Sequence, residues 1–109
     1  MRLEADILIV DHNKFFQMVA ARNYQNNGLT TKSVSCGVDC INLIQKGAGF
    51  KCITMGGCME MLTGVETILR LRSLGYTGMI VGVIGSPDKT PDFLNAGATE
   101  CIVKGGRGL

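Results

Sequence analysis

Residues 53–72 read Ile53-Thr-Met-Gly-Gly-Cys-Met-Glu-Met-Leu-Thr-Gly64, then Val65-Glu-Thr-Ile-Leu-Arg-Leu-Arg72. The short apolar run Cys52-Ile-Thr-Met55 leads into this stretch and ends at Gly56-Gly57, a strand-to-loop junction. Beyond the loop, Val65, Ile68 and Leu71 recur at the spacing of one helix face. The segment therefore reads as strand, loop and helix.

Four more apolar runs flank it: Asp6-Ile-Leu-Ile-Val10, Thr31-Lys-Ser-Val34, Met79-Ile-Val-Gly-Val83 and Glu100-Cys-Ile-Val103. Ile7 to Val10 and Met79 to Val83 are nearly continuous rather than alternating, as in central parallel strands covered on both faces. Helical patterns separate the runs. Val38, Ile41 and Ile44 form one, and Phe15, Val19 together with Phe16, Ala20 and Tyr24 give a wide stripe in the first. Asn26-Asn27-Gly28, Gly75 and Asn95-Ala-Gly97 supply helix stops. Strands alternating with helices predict an α/β fold, a doubly wound parallel five-stranded sheet with right-handed crossovers. In such sheets the ligand crevice lies outside the carboxyl ends of the strands, here Asp11-His12, Gly56-Gly57, Ile84-Gly85-Ser86 and Lys104.

The 109 residues suit one domain, 1–109. A formal charge of +2, with no basic stripe, argues against nucleic acid as a partner. No apolar run approaches the ~18 residues of a membrane span, and the first residues lack the apolar core of a signal peptide, so a cytoplasmic location is expected. The five cysteines, Cys36, Cys40, Cys52, Cys58 and Cys101, are odd in number and sit mostly in apolar segments, which suits reduced core residues better than a disulfide framework. Cys36, Cys40 and His12 lack the paired spacing of a zinc site.

Ile7-Leu-Ile-Val-Asp-His-Asn-Lys14, the block from Met55 to Gly64 and Phe93-Leu-Asn-Ala-Gly-Ala-Thr-Glu-Cys-Ile-Val-Lys104 resemble, in order and spacing, the receiver domain of response regulators. The family's central wording is near I-x-M-D-x-x-M-P-x-M-D-G, and the resemblance covers nearly the whole chain. It implies the flavodoxin-like receiver fold and a place in two-component phosphorelay signalling. In the family, two acids after the first strand and an acceptor aspartate after the third hold a divalent metal, while a hydroxyl after the fourth strand and a lysine after the fifth contact the phosphoryl oxygens. The chemistry explains the residue types, because a phosphoryl group in transfer spreads charge over three oxygens and needs a cation, a donor and an ammonium around it.

Against that pattern the chain keeps Asp11 and Lys104. Gly56 falls on the phosphoacceptor position, His12 replaces the second acid and Ile84 replaces the hydroxyl. Glu60, Thr63 and Gly105 stand where the pattern has proline, aspartate and proline. Without the last proline, a cis bond before residue 105 would cost about 2.5–4 kcal/mol, so Lys104 is expected to be less well aimed. Asp11 alone is a weak metal candidate, and magnesium binding is expected to be lost or weak, with no other cofactor called for. The losses cluster at one pocket while the apolar pattern is intact, as in a pseudo-receiver: a non-enzymatic interaction module whose partner is a phosphorelay protein or the rest of a hybrid sensor histidine kinase. The alternative left open is residual metal, anion or phosphoryl chemistry through Asp11, His12, Glu60 and Lys104, or a truncated structural domain. His12, Ser86 and Thr54 read as ordinary loop, turn and strand residues without a base partner.

After the fifth run the chain closes on Lys104-Gly-Gly-Arg-Gly-Leu109, too rich in glycine for a fifth helix. Leu8 or Ile9 and Ile102 are then expected to lack cover on one sheet face, which would favour self-association.

Overall fold

The computed structural model describes residues 2–57 and 61–105. Strand β1 (Arg2–Val10) leads to helix α1 (Lys14–Asn26), followed by β2 (Thr31–Val34), α2 (Gly37–Gln45), β3 (Ala48–Gly56), α3 (Gly64–Ser73), β4 (Met79–Ile84), a 3-10 turn at Pro87–Lys89, α4 (Thr90–Ala96) and β5 (Glu100–Val103). The five strands form one parallel sheet in the order β2-β1-β3-β4-β5. The order reverses beside β1, which places the ligand crevice at the carboxyl ends of β1 and β3.

The central strands alternate their cover. Leu8, Val10, Ile53, Met55, Ile80 and Ile84 pack with Cys40 of α2, Ile68 and Leu71 of α3 and Phe93 of α4 in the main core. Ile7, Ile9, Val81 and Val83, at the alternate positions of β1 and β4, are buried as well. Local signals fix the helix ends. The Asn13 side chain accepts from Phe16 N at the start of α1, and Thr63 and Glu66 form a reciprocal capping box at the start of α3. Arg72 ties the far end of α3 to the sheet by donating to the carbonyls of Gly97, Tyr76 and Gly78.

Three expectations change. β1 and β3 are longer than their apolar runs, because Arg2 and Leu3 pair with Ala48 and Gly49 past a register shift between Leu3 and Ala5, and the polar residues Arg2 and Glu4 hid that extension. Leu8 and Ile9 do not lack cover: both are 0% exposed, Leu8 packing in the main core on one sheet face and Ile9 buried on the other, where α1 contacts β1 and β2, while Ile102 on the edge strand β5 is half-buried. The first helix's stripe is also split. Phe16, Ala20 and Tyr24 turn partly inward, whereas Phe15, Met18 and Val19 are exposed, so the apolar surface lies on the outer side of α1 rather than on the sheet. Among the described residues no helix is long and apolar enough to cross a membrane.

Burial sets the chemistry of the thiols. It pushes Cys40 up to about 12 and Cys52 up to about 11, from an ordinary value of 9.0, because a thiolate would lose its water there. The Tyr76 phenol is pushed up to about 12 by the same cause. These groups hold protons in the folded chain that the unfolded chain releases, so their contribution is intact below about pH 9 and is lost as pH rises toward 11–12. Urea unfolding between pH 8 and 11 should show stability falling above pH 9, by about 1.4 kcal/mol per pH unit for each fully buried thiol. Cys40→Ala should flatten the slope; an unchanged slope would place the alkaline sensitivity elsewhere.

Candidate functional site at the strand ends

Four neighbouring parallel strands deliver the predicted site residues to one place. Asp11 follows β1 with His12 beside it, Gly56 and Ile84 close β3 and β4, and Lys104 follows β5. Asp11 is 1% exposed and held on every side: its backbone N–H donates to Val34 O at 3.1 Å, and its Oδ1 accepts from Asn13 N at 2.9 Å. That second bond is the turn that launches α1. The Lys104 Nζ lies 2.7 Å from Asp11 Oδ2, and its backbone N–H donates to Ile84 O. Although this contact is short, Oδ2 has no aligned hydrogen-bond donor, so it is an ion pair held by charge. His12 Nδ1 stands 3.9 Å from Oδ1 on a side chain that is mostly in solvent.

Gly56 makes the pair possible. A Cβ at residue 56 would come 2.8 Å from Asp11 Oδ2 and 3.3 Å from Val10 O. The carboxylate thus leans into space that any other residue's side chain would fill. Gly64 has a matching role below: its N–H donates to Gly57 O at 3.0 Å, and a Cβ there would run into Gly56 O. The first turn of α3 can approach the end of β3 only because both contacts are made by glycine.

Two contributors carried no motif. Gln17, buried on α1, donates its amide to Asp11 O, Val34 O and Ser35 Oγ, joining the ends of β1 and β2. Phe16 lies under Lys104, whose Nζ is 4.4 Å from the ring centroid. An amide on the inward side of a helix beside an aromatic residue was the available signal. Thr54 is buried within β3, and Ser86 Oγ donates to Asp88 on the exposed turn. Glu60 lies outside the described residues.

No family model matches the chain. Its sequence is 30% identical over 98 residues to the two-component response regulator ORR42 of Oryza sativa subsp. japonica, covering 89% of this chain and 74% of that protein. The chain belongs to the response-regulator receiver family. A second receiver relative, the two-component response regulator ARR22 of Arabidopsis thaliana, is 29% identical over 103 residues, covering 91% of this chain and 72% of that protein. Among solved structures, the chemotaxis protein CheY4 of Vibrio cholerae superposes with a TM-score of 0.84 at 25% identity, over 94% of this receiver and 88% of that chain. The response regulator TrrA of Thermotoga maritima, solved in complex with Mg(2+)-BeF, matches in fold with a TM-score of 0.84 at 18% identity, over 94% and 88%.

The receiver fold implies a divalent metal, and the residues in place do not fit one. Among the described residues no group of three or more His, Cys, Asp or Glu side chains converges, and an ammonium already sits on the free oxygen of Asp11. Magnesium prefers several oxygen ligands in near-octahedral array.

Removing one member of the pair leaves a charge with no partner at a nearly buried site, which is the costly case. In a double-mutant cycle, Lys104→Met and Asp11→Asn should each destabilise, with a coupling of about 1–3 kcal/mol after discounting for the partial exposure of Lys104. Strictly additive losses in urea unfolding would mean that the two side chains do not support one another.

Proposed function

We propose that this receiver domain, residues 1–109, is a pseudo-receiver: a non-enzymatic interaction module of a phosphorelay that does not itself accept a phosphoryl group. The observation that carries this reading is the closure at residue 56. With glycine there no carboxylate is available as nucleophile, and the space above its Cα is taken by Asp11, itself neutralised by Lys104. A phosphodonor entering the pocket would meet neither acceptor nor metal.

Other features support the same reading. Ile84, 1% exposed, puts a hydrocarbon where a hydroxyl would contact a phosphoryl oxygen, and His12, whose imidazole is neutral or cationic, supplies no second carboxylate beside Asp11. Meanwhile the strands and helices share one apolar core, which holds the scaffold together apart from the chemistry. The exposed row Phe15, Met18 and Val19 supports the contact part of the proposal, since contiguous apolar surface on a folded domain commonly marks a protein interface. The partner class is a phosphorelay protein, or the remainder of a hybrid histidine kinase carrying this domain.

Incubation with acetyl phosphate and magnesium, followed by intact-mass measurement, should give no acid-labile gain. A stoichiometric phosphoryl adduct on any strand-end residue would falsify the reading.

Restoration probes the same assignment from the other side. Gly56→Asp must push Asp11 off Lys104, because its Cβ falls 2.8 Å from Oδ2. Combined with His12→Asp it should create a magnesium site with affinity in the millimolar range, and Ile84→Thr added to both should lengthen the life of any phosphoryl adduct. If the double variant titrates with magnesium no better than the parent, residue 56 is not the acceptor position.

A further inference from the structure

The mouth of the pocket, above the Asp11–Lys104 pair, opens into a cleft of about 480 Å³. That volume falls within the ~300–1,000 Å³ of ordinary small-molecule sites. Its walls are Val65 of α3, Val83 and Ile84 of β4, Phe93 of α4 and the backbone of Gly57 and Gly85. Two features of this chain make it apolar. Ile84 lines it in place of a hydroxyl, and Gly82 lets the Phe93 ring lie against β4, where a Cβ would strike Phe93 Cδ2.

Most polar groups that line the cleft among the described residues already face a partner within the protein, and the His12 imidazole, largely in solvent, stands 3.9 Å from Asp11 Oδ1. Asp11 and Lys104 neutralise each other, Thr63 Oγ1 accepts from Glu66 N, and Ser86 Oγ donates to Asp88. At the rim, Lys89 and Asp92 are exposed and of opposite sign. Because the carboxylates Asp11 and Asp92 balance the ammonium groups Lys89 and Lys104 in the described lining, a charged ligand would give up its hydration for no net countercharge, whereas an apolar one exchanges water for hydrocarbon walls. A cavity of ~150 Å³ lined by such side chains accepts benzene, so this larger cleft has room for fused rings.

We propose that the cleft is a binding site for a small, neutral, ring-bearing molecule that is apolar over most of its surface. Its occupant packs between Val65 and Phe93 with one edge on Ile84, and so bridges the start of α3 to α4. The inference rests on the reading that the pocket carries no phosphoryl chemistry, since a site handling a phosphodonor and a divalent ion must be wet and polar.

Indole, indole-3-propionate and tryptamine share a ring system and differ in charge, and titration of each into methyl-labelled protein tests the proposal by NMR. Indole should shift the methyl resonances of Val65, Val83 and Ile84 saturably and bind at least five-fold more tightly than either charged congener. Ile84→Thr should weaken it at least three-fold, and Val65→Ser, at a half-buried position less prone to upset folding, should do the same. Absence of saturable shifts at these methyls, equal or tighter binding of a charged congener, or shifts confined to Met18 and Val19 on α1 would each overturn the proposal. Failure here alongside an inert response to acetyl phosphate sinks the ligand site alone, while phosphoryl labelling sinks the reading beneath it.

Discussion

The ion pair between Asp11 and Lys104 closes the carboxyl end of the sheet, and much of the site's character follows from it. The two residues come from β1 and β5, which are separated in the sheet by β3 and β4, so the pair spans the ends of both inner neighbours at 2.7 Å. It can form because Gly56, at the end of β3, leaves the space beneath the carboxylate empty. A nearly buried carboxylate with no countercharge would be costly, and a lysine on an exposed loop would gain little by reaching inward without one. Each residue therefore makes the other tolerable, and neither can be changed alone without leaving a stranded charge.

Around this pair the supporting contacts point the same way. Gln17 and Asn13 hold Asp11 from α1, Phe16 holds the Lys104 ammonium, and Gly64 brings the capped start of α3 against the end of β3. These are contacts of a settled structure. At the strand ends the carboxylate of Asp11 and the ammonium of Lys104 face one another. The result is a receiver scaffold whose buried carboxylate is paired and whose cleft sets the hydrocarbon of Val65, Val83, Ile84 and Phe93 among polar residues.

The core follows from this economy of charge. Among the described residues the buried polar side chains other than Asp11 are Gln17, Thr54 and Thr67, and Thr67 Oγ1 donates to the carbonyl of the α3 cap Thr63. The thiols of buried Cys40 and half-buried Cys52 stay protonated well past neutral pH. Stability thus rests largely on apolar packing on both sides of a parallel sheet.

The five strands, their parallel pairing and the convergence of Asp11, Gly56, Ile84 and Lys104 were legible in the chain, because near-continuous apolar runs and strand-end position are local properties. The extra residues of β1 and β3 were not, since Arg2 and Glu4 look like solvated loop until pairing with β3 orders them. Nor could the pattern tell which half of the α1 stripe faces inward: Phe15 and Phe16 are equally apolar, and only the seating of the helix on β1 and β2 partly covers one and exposes the other. The sequence by itself determined that residue 56 has no side chain to offer. Tertiary structure decided what fills the vacancy, because the distance between Asp11 and Lys104 depends on strand order, and strand order is a property of the folded sheet.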